Sequence, residues 1–276
     1  MIGVFDSGVG GLSVLREIRS LLPGHAVTYL ADQAWAPYGE RSLQEVRDRS
    51  VAIAERLIGE EATTVVVACN SASAAALHHL RDTFPDTPFV GMEPAVKPAV
   101  QLTSRGVIGV LATDATFQGE LYASVVNRHA ADVEIVATPG RGLVRLVESG
   151  DVDSPELRSL LASYIQPMVD AGADTIVLGC THYPFLLPVI RELAGDAVHV
   201  IDPAPAVARQ VSRIAAPADA VGGVRFATTG SPVAMAGLVE HLLGYLPKPV
   251  PEYWEIESKA TISKAQTPDL PPGISQ

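Results

Sequence analysis

Cys69 and Cys180 are the two cysteines of this chain, and they stand in matching surroundings. Residues 64–73 read TVVVACNSAS and residues 175–184 read TIVLGCTHYP, so that laying one over the other puts Cys69 on Cys180, 111 positions apart. A short β-branched run between polar segments predicts a buried parallel strand, and the Asn-Ser or Thr-His that follows is helix-cap chemistry. Each thiol is therefore expected at the carboxyl end of a strand, just before a helix, where open parallel sheets bind their ligands. Unpaired N–H groups at a helix amino terminus are expected to lower such a thiol's pKa and make it a base or nucleophile. Two thiols presented by two halves of a chain can face one carbon from opposite sides. Inversion at that carbon needs this arrangement, because one group removes a proton and the other returns one to the far face. The commonest fate of a free cysteine, a buried small hydrophobe, is the competing reading; the duplicated setting argues against it.

The elements that must position these thiols can be read in order. Residues 2–5 form a short apolar strand that runs into Asp6-Ser7-Gly8-Val9-Gly10-Gly11 and then a helix. The glycines permit close approach of a ligand, and the turn's N–H groups favour an anion; Asp6 or Ser7 acting only as a helix cap is the plainer alternative. A dinucleotide fingerprint fits poorly, because Ser13 stands at the third glycine position and Asp6 would meet a pyrophosphate. A strand at 26–31 leads to Trp35-Ala36-Pro37-Tyr38-Gly39, a turn at the same sheet edge, and then a helix at 43–58. The Cys69 strand, a helix to about 83, a strand at 88–92 and a helix to about 104 follow. At Gly106 the pattern restarts, with residues 106–113 echoing residues near the start at an offset of 106 and Thr113, Asp114 and Thr116 replacing the glycine-rich turn. Strands at 133–137 and 197–201, helices at 143–148 and 155–171, and the Cys180 strand with a helix to about 193 complete the second copy. Pro167 is expected to kink its helix. The prediction is an α/β protein of two pseudo-symmetric open parallel-sheet lobes with the active site in the cleft between them. The first lobe spans 1–94 and is completed by 205–246, the second spans 95–204, and 247–276 is a polar, proline-rich tail whose Tyr253, Trp254 and Ile256 dock on the body.

Composition narrows the function. Twenty basic against 31 acidic residues give a net charge of −11 without a Lys/Arg cluster, which argues against nucleic acid as the ligand. No apolar run approaches a membrane span and Met1 runs straight into a strand, so a soluble, cytoplasmic protein without a leader is expected. Two distant cysteines suit neither a disulfide scaffold nor a zinc site. Of seven histidines only His182, two residues past Cys180, has a setting suited to chemistry. Only Lys97 precedes the C-terminal stretch from Lys248, so a Schiff-base lysine for pyridoxal phosphate is poorly supported. Neither a metal nor an organic cofactor is expected.

Taken together, Asp6-Ser7-Gly8-Val9-Gly10-Gly11, Pro37-Tyr38-Gly39, Ala68-Cys69-Asn70-Ser71-Ala72-Ser73 and Gly179-Cys180-Thr181-His182-Tyr183-Pro184 resemble the glutamate racemases, cofactor-independent amino-acid racemases. The resemblance covers residues 2–246. It implies that Cys69 and Cys180 are the acid/base pair acting on opposite faces of the glutamate α-carbon, with Asp6, Glu148 and His182 as auxiliary catalytic groups. It further implies substrate contacts from Asp6, Ser7, Tyr38, Gly39, Asn70, Ser71, Thr181 and His182. Glu148 rests on the short motif Leu146-Val147-Glu148-Ser149-Gly150, and a surface glutamate at a helix end is its plainer reading. The family usually has threonine where Ser71 and Ser13 stand; both serines keep a hydroxyl. Also implied are glutamate as the small-molecule substrate, a homodimer, D-glutamate supplied to peptidoglycan and, as some glutamate racemases inhibit DNA gyrase, a gyrase contact as a second, regulatory role. Pocket length is not legible, which leaves open an aspartate or related racemase of the same fold.

Overall fold

The computed structural model describes residues 1–217 and 222–257. Most of the predicted tail, from 258 on, lies outside the described residues.

The first run of elements is β1 (Ile2–Asp6), α1 (Leu12–Leu21), β2 (Val27–Ala31), α2 (Leu43–Gly59), β3 (Thr64–Val67), α3 (Asn70–Thr83), β4 (Phe89–Gly91) and α4 (Val96–Leu102). The second is β5 (Val107–Ala112), α5 (Asp114–Gln118), α6 (Glu120–His129), β6 (Glu134–Pro139), α7 (Leu143–Glu148), α8 (Pro155–Asp170), β7 (Thr175–Gly179), α9 (Leu187–Ala194) and β8 (His199–Ile201). Then come α10 (Ala204–Ile214), β9 (Val224–Thr228), α11 (Pro232–Leu243) and β10 (Glu252–Tyr253).

All strand pairs are parallel, in two sheets of order β10-β9-β2-β1-β3-β4 and β6-β5-β7-β8. The inner order β2-β1-β3-β4 of the first sheet is the whole order of the second. Register repeats as well: Ile2 pairs with Thr64 in one sheet and Ile108 with Thr175 in the other. The duplication read from the two cysteine segments is therefore a duplication of architecture. β9 and β10 extend only the first sheet, through pairing of β9 with β2.

Helices cover both faces of each sheet, as buried parallel strands require. In the first sheet, Val4, Leu12, Leu15, Ile18, Tyr29, Val66, Val207, Val211 and Met235 form one apolar layer. Phe5, Leu30, Tyr38, Ile53, Leu57, Val65, Val67, Cys69 and Trp254 form the other. α2 starts at a reciprocal capping box between Ser42 and Glu45, and Ser154 caps α8. α8 runs on through Pro167 to Asp170. Among the described residues no helix is long and apolar enough to cross a membrane.

Two predicted elements are corrected. An α-helix does not begin directly after Cys180; a 3-10 turn at Tyr183–Leu186 precedes α9. Pro184 and Pro188 lack the N–H groups that early i to i−4 bonds need, which delays the α-helix. At the start of the predicted tail Trp254, 4% exposed, and Ile256 dock on the body as expected, but Tyr253 points outward at 60% and Glu252–Tyr253 form β10, a strand of the first sheet.

Candidate active site

Cys69 is the N-cap residue of α3, two residues past the end of β3, and Cys180 directly follows β7. Both are free, 4% and 5% exposed, and they line one narrow cavity of about 50 Å³. Its walls come from both sheets: Ser7, Tyr38, Gly39, Asn70 and Ser71 from the first, Thr113, Gly140, Thr181 and His182 from the second. Carboxyl ends of β1, β3, β5 and β7 thus converge on it, as the topology of parallel sheets dictates.

The two thiols have different neighbours. On the Cys180 side, His182 Nδ1 lies 3.6 Å from the sulfur, and His182 Nε2 lies 2.6 Å from Glu148 Oε1. Glu148 also accepts from the Val9 backbone N–H at 2.7 Å and from Gln33 Nε2 at 3.4 Å. Burial opposes a charge on His182, but the bond to Cys180 and that to Glu148 outweigh it, so its pKa is raised well above 6.5. Burial likewise opposes charge on Glu148, and the His182 bond prevails, holding its pKa below the usual carboxylate value. The result is a buried line of sulfur, imidazole and carboxylate.

On the Cys69 side, the sulfur lies 3.8 Å from Ser7 Oγ, and Ser7 Oγ donates to Asp6 Oδ1 at 3.3 Å. Asp6 is fully buried, accepts from the Gly11 N–H at 2.7 Å and meets Thr181 Oγ1 from the other sheet at 3.5 Å. Burial raises its pKa, although His182 pulls it back. The expectation of a lowered Cys69 pKa is overturned. Burial, with the Asp6 carboxyl group next, pushes this thiol well above its ordinary value, and the N–H donated by Ala72 at the start of α3 does not compensate.

The glycine-rich turn is closely packed by side chains of the second half. A Cβ at Gly8 would collide with the Glu148 carboxylate, and one at Gly10 with the His182 ring. These glycines leave room for the Glu148 and His182 side chains beside Cys180.

The remaining sequence-predicted residues divide into two groups. Ser7, Tyr38, Gly39, Asn70, Ser71, Thr181 and His182 line the cavity, whereas Asp6 and Glu148 stand behind it, in contact with residues that do. The Tyr38 hydroxyl is turned away and donates to Asp32 at 2.5 Å. Asn70 is 3% exposed and neither its Oδ1 nor its Nδ2 has a partner among the described residues. A buried amide with all its bonds unmade, facing a cavity, is suited to a polar ligand.

Hydroxyls tie the two sheets together at the site. Ser71 Oγ lies 2.9 Å from Thr113 Oγ1, which lies 2.8 Å from Thr116 Oγ1, and Ser13 Oγ is 2.9 Å from the Thr181 carbonyl. The two positions where the chain departs from the racemase pattern both carry such ties, so a hydroxyl is what they need. Thr113 was not assigned to the site from sequence, yet the 106-residue offset of the repeat puts it opposite Ser7 and would have found it. Gln33, Arg141 and Arg145 at the site's edge carried no comparable signal. Among the described residues no group of three or more His, Cys, Asp and Glu side chains is placed to hold a metal.

A family model described as Asp/Glu/Hydantoin racemase matches residues 2–211. A glutamate racemase of Roseiflexus sp. (strain RS-1) is 52% identical over 248 residues, 87% of this chain and 91% of that one. Among solved structures, glutamate racemase from Bacillus anthracis superposes with a TM-score of 0.82 at 31% identity, covering 93% of this chain and 97% of the other. Escherichia coli glutamate racemase, solved with L-glutamate and the activator UDP-MurNAc-Ala, gives 0.82 at 32% identity over 93% and 98% of the two chains.

Proposed function

Because the chain belongs to the Asp/Glu/Hydantoin racemase family, and is an isomerase by that membership, we propose that it interconverts L-glutamate and D-glutamate by two-base proton transfer between Cys69 and Cys180, supplying D-glutamate for peptidoglycan. The observation that carries this reading is that two repeat-related thiols, one from each sheet, line a single cavity. The lobes in this reading are 1–94 with 205–246, and 95–204, and the pairing of β9 with β2 supports giving 205–246 to the first.

One sulfur, as thiolate, takes the α-proton of the bound amino acid. The opposite sulfur, as thiol, gives its own proton to the other face, so one turnover exchanges the protonation states of the two cysteines and inverts the carbon. The intermediate carbanion is stabilised by donors preorganised around the α-carboxylate, for which Asn70 Nδ2 and the hydroxyls of Ser7, Ser71 and Thr181 are suited. His182 and Glu148 answer the change of charge on Cys180, and Asp6 through Ser7 answers it on Cys69. These three acidic or basic groups are thereby set around the two sulfurs, with Asp6 and Glu148 in positioning roles.

The test is incubation with L-glutamate in deuterated water. Optical rotation should decay to zero, and deuterium should appear first at the α-carbon of the D-enantiomer, because the donating thiol has exchanged with solvent. Deuterium entering recovered L-glutamate at the same initial rate would point to a single base, and no loss of rotation would exclude glutamate.

A further inference from the structure

We propose that Trp254 and the backbone carbonyl of Ile256 position the Tyr38 and Gly39 wall of the cavity, acting through Arg49 and Asp32; the proposal rests on reading that cavity as the substrate site. Tyr38 is 1% exposed, and its hydroxyl is held by Asp32. Asp32 is fully buried and also accepts from Thr229 Oγ1 at 2.7 Å. Its principal partner is Arg49, 3% exposed, which meets both carboxylate oxygens through Nε at 2.8 Å and Nη2 at 2.7 Å. The remaining guanidinium nitrogen, Nη1, donates to the Ile256 carbonyl. A guanidinium is a rigid planar fork, so fixing Nη1 fixes the plane in which Asp32 is gripped.

The Ile256 carbonyl is in turn fixed by the chain just before it. β10 pairs with β9, and the Trp254 N–H donates to Thr228 O at 2.8 Å. The Trp254 ring is buried in the same apolar layer as Tyr38 and Cys69, with the guanidinium groups of Arg56 and Arg225 at 4.5 and 4.9 Å from its centroid. Contacts thus run without a gap from the C-terminal segment to Tyr38, whose neighbour Gly39 meets Thr113 of the other sheet. Release of the segment would leave a buried cation with an unpaired donor and free Asp32 and Tyr38 to shift.

The experiment compares Trp254→Leu, Trp254→Phe and Arg49→Lys in the full chain. It reads KM and kcat for glutamate together with hydrogen–deuterium exchange of the Arg41 amide, which bonds the Tyr38 carbonyl at 3.1 Å. Trp254→Leu and Arg49→Lys should raise KM about tenfold, the scale of a small misplacement of a binding wall, with kcat within about twofold, and should speed Arg41 exchange. Trp254→Phe, which keeps an aromatic ring between the two arginines, should restore both. Unchanged KM and unchanged Arg41 exchange in Trp254→Leu would reduce the segment to a clasp and overturn the proposal, whatever Arg49→Lys does. If Trp254→Leu does not accumulate folded, Arg49→Lys carries the same readouts. Should the unmodified protein leave glutamate unracemised, the substrate reading fails, and Arg41 exchange still decides the positioning.

Discussion

His182 is the residue on which the two sides of the site differ most. Its pKa is raised above 6.5 chiefly because Cys180 and Glu148 favour the imidazolium against the cost of burial. Such a shift stabilises the fold fully below pH 6.5 and ceases to do so as pH rises through the raised value. Glu148→Gln removes the carboxylate from Nε2, and NMR titration of the His182 ring should show its pKa fall. An unchanged titration would remove Glu148 from its assigned role. Kinetics give a second test. The two enantiomers of glutamate have equal free energy, so no substitution can slow kcat/KM in one direction alone. What a substitution can change is which proton transfer limits both directions. Weakening the Cys180 side through Glu148→Gln should make the α-deuterium isotope effect large for the enantiomer deprotonated at Cys180 and small for the other. Asp6→Asn should produce the opposite pattern. Equal effects for both enantiomers in both variants would place Asp6 and Glu148 on no particular side.

Elements hold these residues through contacts that span the chain, and Asp174 shows how. It sits just before β7, 5% exposed, and accepts from Thr103 Oγ1 at 2.6 Å, from the N–H and hydroxyl of Ser104 at 2.8 Å each, and from the Arg105 N–H at 3.0 Å. It thereby fixes the entry of β5 beside β7. Burial works against its charge, but these donors hold its pKa far below the usual 3.8. The stabilisation is present above pH 3.8 and is lost as pH falls through the lowered value. Asp174→Ala should cost about 2 kcal/mol by leaving several donors unpaired. Urea denaturation at pH 7 checks this, and the gap from the unmodified chain should narrow in acid. The strands were legible in sequence because β-branched runs such as Thr64–Val67 and Thr175–Gly179 are buried on both faces and leave a continuous apolar signature. β10 was not: two residues that follow the proline-rich run from Pro247 to Pro251 carry no periodicity, and their pairing with β9 exists only once the first sheet is assembled. The place of the cysteines and of Asn70 at strand ends was legible from the β-branched runs and the cap chemistry after them, whereas grouping Asn70 with Tyr38 and Gly39 around one cavity came only from the family resemblance. The raised pKa of Cys69 was not, because it depends on burial against Asp6, which only the assembled sheets create.

In the whole molecule, two similar sheets meet across one small cavity, and under the proposed function the fit between them sets how substrate is held. A Cβ at Gly39 would stand 2.9 Å from the Thr113 Cβ of the opposite sheet. Gly39→Ala should therefore cost about 1 kcal/mol in apposition of the halves, raising KM for glutamate about fivefold with the fold retained. Unaltered KM would show that this contact yields freely. The pairing of one thiol with each half is the central claim, and each half must then act on its own face of the α-carbon. Serine is too weak an acid to replace a thiol as base at neutral pH, so Cys69→Ser and Cys180→Ser should each lower racemisation by at least ~10²-fold. The surviving thiol in each can still remove a proton from its own side. The most direct measurement is elimination of the leaving group from the two enantiomers of a β-substituted glutamate analogue by each single variant. Opposite enantiomer preferences for Cys69→Ser and Cys180→Ser are the predicted result; the same preference in both, or racemisation of glutamate at the unmodified rate by either, would contradict it.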